Sequence, residues 1–247
     1  MKKLIGILII LCVIQGTNVN AQSTHEKDSV LISRLNAKLN DWPNLARFRE
    51  ENNKLGLPSE NVKRVVFMGN SITQGWAKFW DVYFAGKPYI NRGIGGQTTP
   101  QMLIRFRPGV INLKPAVVVM LCGTNDIAGN TGPSTLEMIE DNIASMAELA
   151  SANGIKVVLC SVLPAYDYPW KPGLAPAEKI PVLNDWIKNY AQKMGFTYLN
   201  YFTPMADERN GMKAEYSQDG IHPNKAGYDV MTPLVEKAIA RALKSKK

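Results

Sequence analysis

Histidine and cysteine are scarce in this chain, with two histidines and three cysteines among 247 residues. No Cys/His cluster has the spacing of tetrahedral zinc ligation, so no metal site is expected. Charge of one sign is not concentrated. The formal charge is +8, or +6 once Lys2 and Lys3 are set aside. The basic residues are scattered, and no recognition motif accompanies them, so nucleic acid is not an expected partner. Long apolar runs are missing as well. The longest, Leu4 to Ile14, is short of the ~20 residues that a spanning helix needs. No internal repeat or low-complexity tract is visible.

That one apolar run is informative. Lys2 and Lys3 precede it, and the polar stretch after it ends in Val19-Asn20-Ala21. A basic start, a short apolar middle and a small-residue site are the layout of a secretory signal. Cleavage is expected after Ala21, removing residues 1–21 and sending the chain to the periplasm or the extracellular space. A membrane anchor is the alternative. Cys12 lacks the preceding small residues of a lipoprotein site, so no lipid and no stable membrane insertion are expected after cleavage. Cys122 and Cys160 would then remain. Each ends a strand-like run, and buried free thiols are favoured over a bridge, because direct cross-strand disulfides are geometrically awkward.

Residues 22–62 read as a helical N-terminal segment, with apolar residues at helical spacing in "DSVLISRLNAKLN" and "NLARFREENNKLG". This segment is expected to pack across the main domain or to line the edge of a cleft. From residue 63 to the C-terminus the pattern alternates. "RVVFM", "PYINRG", "AVVVMLCG", "IKVVLCSVL" and "FTYLNY" read as strands. Helices are expected from about Ile72, in the first half of "TPQMLIRFRPGVINL", from about Ser134 to Asn153, across "APAEKIPVLNDWIKNYAQKMG" and from about Asn224 to Lys244. Strands alternating with helices imply a parallel sheet covered on both faces. Runs such as Val117 to Leu121 lack polar alternation, as doubly buried strands do.

Ligands of such folds bind beyond the carboxyl ends of the strands. There the chain carries Gly69-Asn70-Ser71, then "GIGGQT" from Gly93, then Gly123-Thr124-Asn125-Asp126. Asp219-Gly220-Ile221-His222-Pro223 precedes the last helix. Ser71 is the candidate nucleophile, since a helix N-terminus exposes its hydroxyl and leaves its N–H free. His222 is the candidate base; the other histidine, His25, lies in the N-terminal segment. Asp219 can turn back to fix the imidazole tautomer. The N–H groups of Ser71 and Gly96 and the amide of Asn125 are candidate oxyanion donors. "GIGGQT" lacks both the P-loop lysine and the dinucleotide spacing. Each block alone is an ordinary turn or cap; their order along successive strand ends is what is specific.

These blocks resemble those of GDSL-type, or SGNH, hydrolases. "GNSIT", "NRGIGGQTT", "GTND" and "DGIHPN" are similar to the family's four blocks and give Ser71, Gly96, Asn125 and the Asp219/His222 pair. The resemblance covers residues from about Lys63 onward. It implies a flavodoxin-like three-layer α/β/α sandwich with a five-stranded parallel sheet, and ester hydrolysis without a cofactor. The second and third blocks are most similar to those of platelet-activating-factor acetylhydrolase-like proteins and bacterial carbohydrate acetylesterases. One residue departs: the family usually has Asp where this chain has Asn70, and Asn70 is read as a turn-shaping replacement.

The loop "PAYDYPWKPGLAP" carries Tyr166, Tyr168 and Trp170, candidates for contact with substrate; Trp76 and Trp80, which follow the nucleophile, are candidates for the same platform, with simple packing as the alternative. No extended apolar lid is apparent. The expected substrate is a small ester, with acetyl on carbohydrate favoured. A lipid, lysophospholipid or thioester substrate is the first alternative, and a non-catalytic glycan-binding protein the second.

Overall fold

The computed structural model describes residues 27–33, 35, 36 and 39–245. The expected signal, residues 1–21, lies outside the described residues. The chain divides into two units, residues 1–44 and Leu45–Lys247. In the first, residues 27–33 are helical, as the apolar spacing predicted.

The second unit opens with α1 (Arg49–Leu55) and continues through β1 (Val65–Gly69), α2 (Ser71–Gly75), β2 (Tyr89–Gly93) and α3 (Thr99–Ile104). Then come β3 (Val117–Leu121), α4 (Thr124–Ile127), α5 (Leu136–Ala152), β4 (Lys156–Cys160), α6 (Pro176–Met194), β5 (Thr197–Leu199) and α7 (Lys225–Lys244). The five strands are parallel in the order β2-β1-β3-β4-β5, the flavodoxin-like order, in which a ligand site lies where the order reverses, at β1/β3. The unit starts at Leu45, earlier than the expected boundary at residue 63. The reason is local: Asn52 of α1 donates to the Pro108 carbonyl and accepts from the Arg92 guanidinium, so α1 belongs to the same body as β2.

Both faces of the sheet are buried. Val66, Met68, Val118, Met120 and Leu159 pack with residues of α5 and α6 such as Ile143, Met146, Leu183 and Ile187. Val65, Phe67, Val117, Val119 and Val158 pack on the other side with Trp76, Phe84, Tyr228, Met231 and Val235. A pleated strand sends successive side chains to opposite faces, so two cores require the unbroken apolar runs seen in the sequence. Cys122 belongs to one core and Cys160 to the other. Both are free, because the sheet itself separates them. Trp76 is 1% exposed and stacks edge-on against Phe67, so it is a core residue and has no face to offer a substrate.

Helix ends follow their local chemistry. Thr135 caps α5 by accepting from the Met138 N–H, and Asn224 caps α7 by accepting from the Gly227 N–H. The helix expected from about Ile72 is present as α2 and is followed by a 3-10 turn at Trp76–Phe79 and a short helix at Trp80–Phe84. This lets Trp76, Trp80 and Phe84 all reach the Phe67 ring.

Candidate active site

Strand β1 hands over to α2 within one residue. A Cβ at Gly69 would lie 2.0 Å from Thr73 Oγ1 and 2.8 Å from the Leu121 carbonyl oxygen, so only glycine allows the helix to start this close. Asn70 caps α2, its Oδ1 accepting from the Ile72 N–H at 3.0 Å. Its Nδ2 is buried and has no hydrogen-bond partner among the described residues. Ser71 is the first residue of the helix, and its Oγ lies 2.9 Å from His222 Nε2.

His222 is held by its own turn. Asp219 Oδ1 accepts from the N–H groups of Ile221 and His222 at 2.9 and 2.8 Å, while Oδ2 lies 2.6 Å from His222 Nδ1. A carboxylate can only accept, so Nδ1 carries the proton and the Nε2 lone pair faces Ser71. Partial burial opposes ionisation of Asp219, but the hydrogen bonds from the His222 ring and from the two N–H groups outweigh it and hold the carboxyl below its ordinary value. The Ser217 hydroxyl donates to the His222 carbonyl at 2.8 Å and closes the turn.

Gly96 and Asn125 meet from the other side. Gly96 has φ +76°, and a Cβ there would meet open space, so backbone conformation rather than crowding calls for glycine. Asn125 is buried, and its Nδ2 donates one hydrogen to the Gln97 carbonyl at 2.9 Å. An amide nitrogen carries two, which leaves the second for a ligand. Among the described residues, the N–H groups of Ser71 and Gly96 donate to no protein acceptor. The structure thus gathers Ser71, Gly96, Asn125, Asp219 and His222 at one edge of the sheet.

It separates the three aromatic candidates. Tyr166 is 55% exposed, and the Arg209 guanidinium lies over its ring at 4.7 Å. Both line a cavity of about 280 Å³ beside Asp219 and Gly220. Trp170 is half exposed and lies 6.4 Å from the His222 ring. Tyr168, by contrast, is fully buried. Its hydroxyl donates to the Thr124 carbonyl at 2.9 Å, and its ring lies 5.2 Å beneath Trp170. Tyr168 also borders that cavity, but its buried phenol anchors the loop to the residue before Asn125 and its ring supports Trp170.

Three residues that the sequence reading passed over shape the site. Gln74 Oε1 accepts from the Gly95 N–H at 2.7 Å. Asp126 is 2% exposed and accepts from the N–H and hydroxyl of Thr99 at 2.8 and 2.6 Å, tying the third block to the second. Burial pushes its carboxyl up to about 6, against the Thr99 hydrogen bonds. Arg105 is buried behind the second block. The sequence carried a signal for it: Arg105 falls on the buried stripe of Met102 and Gly109 at helical spacing, where a charge is out of place.

The sequence model of the GDSL-like lipase/acylhydrolase family matches residues 67–230, well over half of the chain. This chain belongs to that family. The match runs from β1 into α7 and so spans all four blocks. The solved structure of a GDSL-like lipase from Bacteroides thetaiotaomicron is similar at TM-score 0.79 and 48% identity, over 81% of this chain and 98% of that one. The acetylxylan esterase of Xylanibacter ruminicola is 25% identical over 219 residues, 74% of this chain and 44% of that protein. The human (Homo sapiens) platelet-activating factor acetylhydrolase IB subunit alpha2 is 28% identical over 129 residues, 50% of this chain and 54% of that protein. The chain spans about half the length of these curated relatives.

Proposed function

We propose that this GDSL-family protein is an exported serine esterase that removes short acyl groups, acetyl above all, from carbohydrate. The observation that carries the reading is the chain of contacts from Ser71 Oγ to His222 Nε2 and from His222 Nδ1 to Asp219. Ser71 Oγ attacks the ester carbonyl while its proton passes to His222 Nε2. Negative charge gathers on the carbonyl oxygen, where the Ser71 and Gly96 N–H groups and Asn125 Nδ2 are the donors. Collapse breaks the bond to the alcohol, which leaves with the proton from His222. Water then attacks the acyl-serine, giving its proton to the same nitrogen. The acyl group departs as the acid, and the proton returns to Ser71. Asp219 keeps the imidazole in the working tautomer and stabilises its charged form.

The acetyl preference is supported by two relatives whose names specify acetyl substrates. Export is supported by the pattern of residues 1–21. The test is a 4-nitrophenyl ester series from acetate to octanoate, followed by acetate release from acetylated xylo-oligosaccharides, with Ser71→Ala as the reference. Faster turnover of acetate and measurable acetate release support the reading. Preference for octanoate moves the substrate to a lipid or a long-chain thioester. No Ser71-dependent turnover leaves a binding protein.

A further inference from the structure

Three turns carry the candidate oxyanion donors, and one side chain lies behind them. Arg105 is 3% exposed at the end of α3. Its Nε donates to Gln97 Oε1 at 2.5 Å, Nη1 to the Arg92 carbonyl at 2.9 Å and Nη2 to the Gly69 carbonyl at 3.0 Å. All three acceptors are neutral. Among the described residues no carboxylate pairs with it. A buried cation without a counter-charge is costly, so the fold retains this one against a penalty. Burial and the neighbouring Arg92 pull its pKa down, to about 9, which still leaves the guanidinium charged at neutral pH.

The acceptors share a location. The Gly69 carbonyl is the last of β1, two residues before Ser71. Gln97 follows Gly96, and its own carbonyl holds Asn125 Nδ2. Arg92 leads into the turn that carries Gly96. A single planar fork therefore joins the strand that presents Ser71 to the turn that presents Gly96 and, through Gln97, to Asn125. Core filling alone would not require donors in three directions.

We propose that Arg105 is a positioning residue for the oxyanion site: its fork sets the spacing of the three donors, and its unpaired charge favours the anionic oxygen of the tetrahedral intermediate. It touches no reacting atom. The effect belongs to the transition state, so it falls on kcat more than on KM.

The inference rests on the serine esterase reading, and the experiment separates the two. Arg105→Lys, Arg105→Met and Gln97→Met are assayed on 4-nitrophenyl acetate beside wild type and Ser71→Ala. Folding is followed by circular dichroism, and affinity is measured for an alkyl boronic acid, which forms an anionic tetrahedral adduct on a reactive serine. Arg105→Lys keeps the charge but loses the fork, and kcat is expected to fall on the order of 10²-fold with KM within about three-fold. Boronate affinity weakens by a similar factor. The pH midpoint of kcat/KM stays in place, because His222 and Asp219 are untouched. Gln97→Met, which cuts one of the three ties, shifts both quantities in the same direction by less. A folded Arg105→Lys with kcat within about three-fold of wild type overturns the inference. So does a loss of kcat with boronate affinity intact. If Arg105→Met does not fold, the other two variants decide. Wild type without Ser71-dependent turnover overturns the esterase reading, and the inference with it, in the reference arm alone.

Discussion

Asn70, Gln97, Asn125, Asp126 and Arg105 are all buried, whereas the side chains of His222 and Asp219, which complete the same site, are 42% and 47% exposed. The two halves are also tied differently. Several hydrogen bonds in the buried half join distant strand ends, from Arg105 to the Gly69 carbonyl, from Asn125 to the Gln97 carbonyl and from the Thr99 N–H to Asp126. Those that hold His222 to Asp219 and Ser217 stay within six residues of chain. The donor side is thus a product of the whole sheet, and the base is a product of one turn. Substitutions in the turn should change rate and spare stability. Substitutions on the donor side should change both.

The largest effect breaks the exposed half alone. Asp219→Asn keeps an Oδ1 acceptor for the turn but removes the anion facing His222 Nδ1. The amide favours the wrong tautomer, and kcat should fall on the order of 10⁴-fold while the melting temperature barely moves; steady-state kinetics and a thermal melt check both. In the buried half, Asn125→Ala removes one donor and should lower kcat on the order of 10²–10³-fold, together with a lower melting temperature, because the buried bond from Nδ2 to the Gln97 carbonyl is lost.

Asp126 sharpens the comparison through pH. Its folded carboxyl is raised from 3.8 to about 6. An acid whose folded pKa is raised binds protons more tightly when folded, so its ionisation lowers stability as pH rises from about 4 to about 6. The cost is on the order of 3 kcal/mol. Thermal melts across that window should show wild type losing ground to Asp126→Asn as pH rises; parallel curves would contradict the assignment. Acid and base effects therefore separate. Asp219, whose carboxyl is held low by its hydrogen bonds to His222 and Ile221, stays ionised through the same window.

Smaller effects are expected at the rim and at the cap. Trp170→Ala should raise KM for an acetylated oligosaccharide several-fold and leave 4-nitrophenyl acetate turnover near wild type, as measured on both substrates. Asn70→Asp should leave turnover within about three-fold, because the carboxylate keeps the Oδ1 bond to the Ile72 N–H and N-cap positions accept Asp and Asn alike. A loss comparable to that of Ser71→Ala would make Asn70, not Asp219, the residue that governs the histidine.

What was legible in the sequence follows the same division. The strands were legible because each is buried on both faces and reads as an unbroken apolar run; Val117 to Leu121 is the clearest case. The turns were legible because Ser71, Asn125 and the Asp219/His222 pair each follow a strand end or precede a helix. The burial of Tyr168 was not legible, because an aromatic in a proline-rich loop looks the same whether it faces substrate or core. Its hydroxyl bond to Thr124, 44 positions away, is a tertiary fact. Arg105 was passed over because an arginine in a helix is ordinarily solvated, and only the register of Met102 and Gly109 betrays its burial. The 3-10 turn after Gly75 was not legible, because the Phe67 ring that draws Trp76, Trp80 and Phe84 inward lies on another element.

The most direct test of the site is covalent. A fluorophosphonate reacts only with a serine that a base activates, and peptide mapping locates the adduct. The expected result is one adduct, on Ser71, abolished in Ser71→Ala and greatly slowed in His222→Ala. Absence of an adduct at Ser71 in the folded wild type, or equally fast labelling in His222→Ala, would contradict the account.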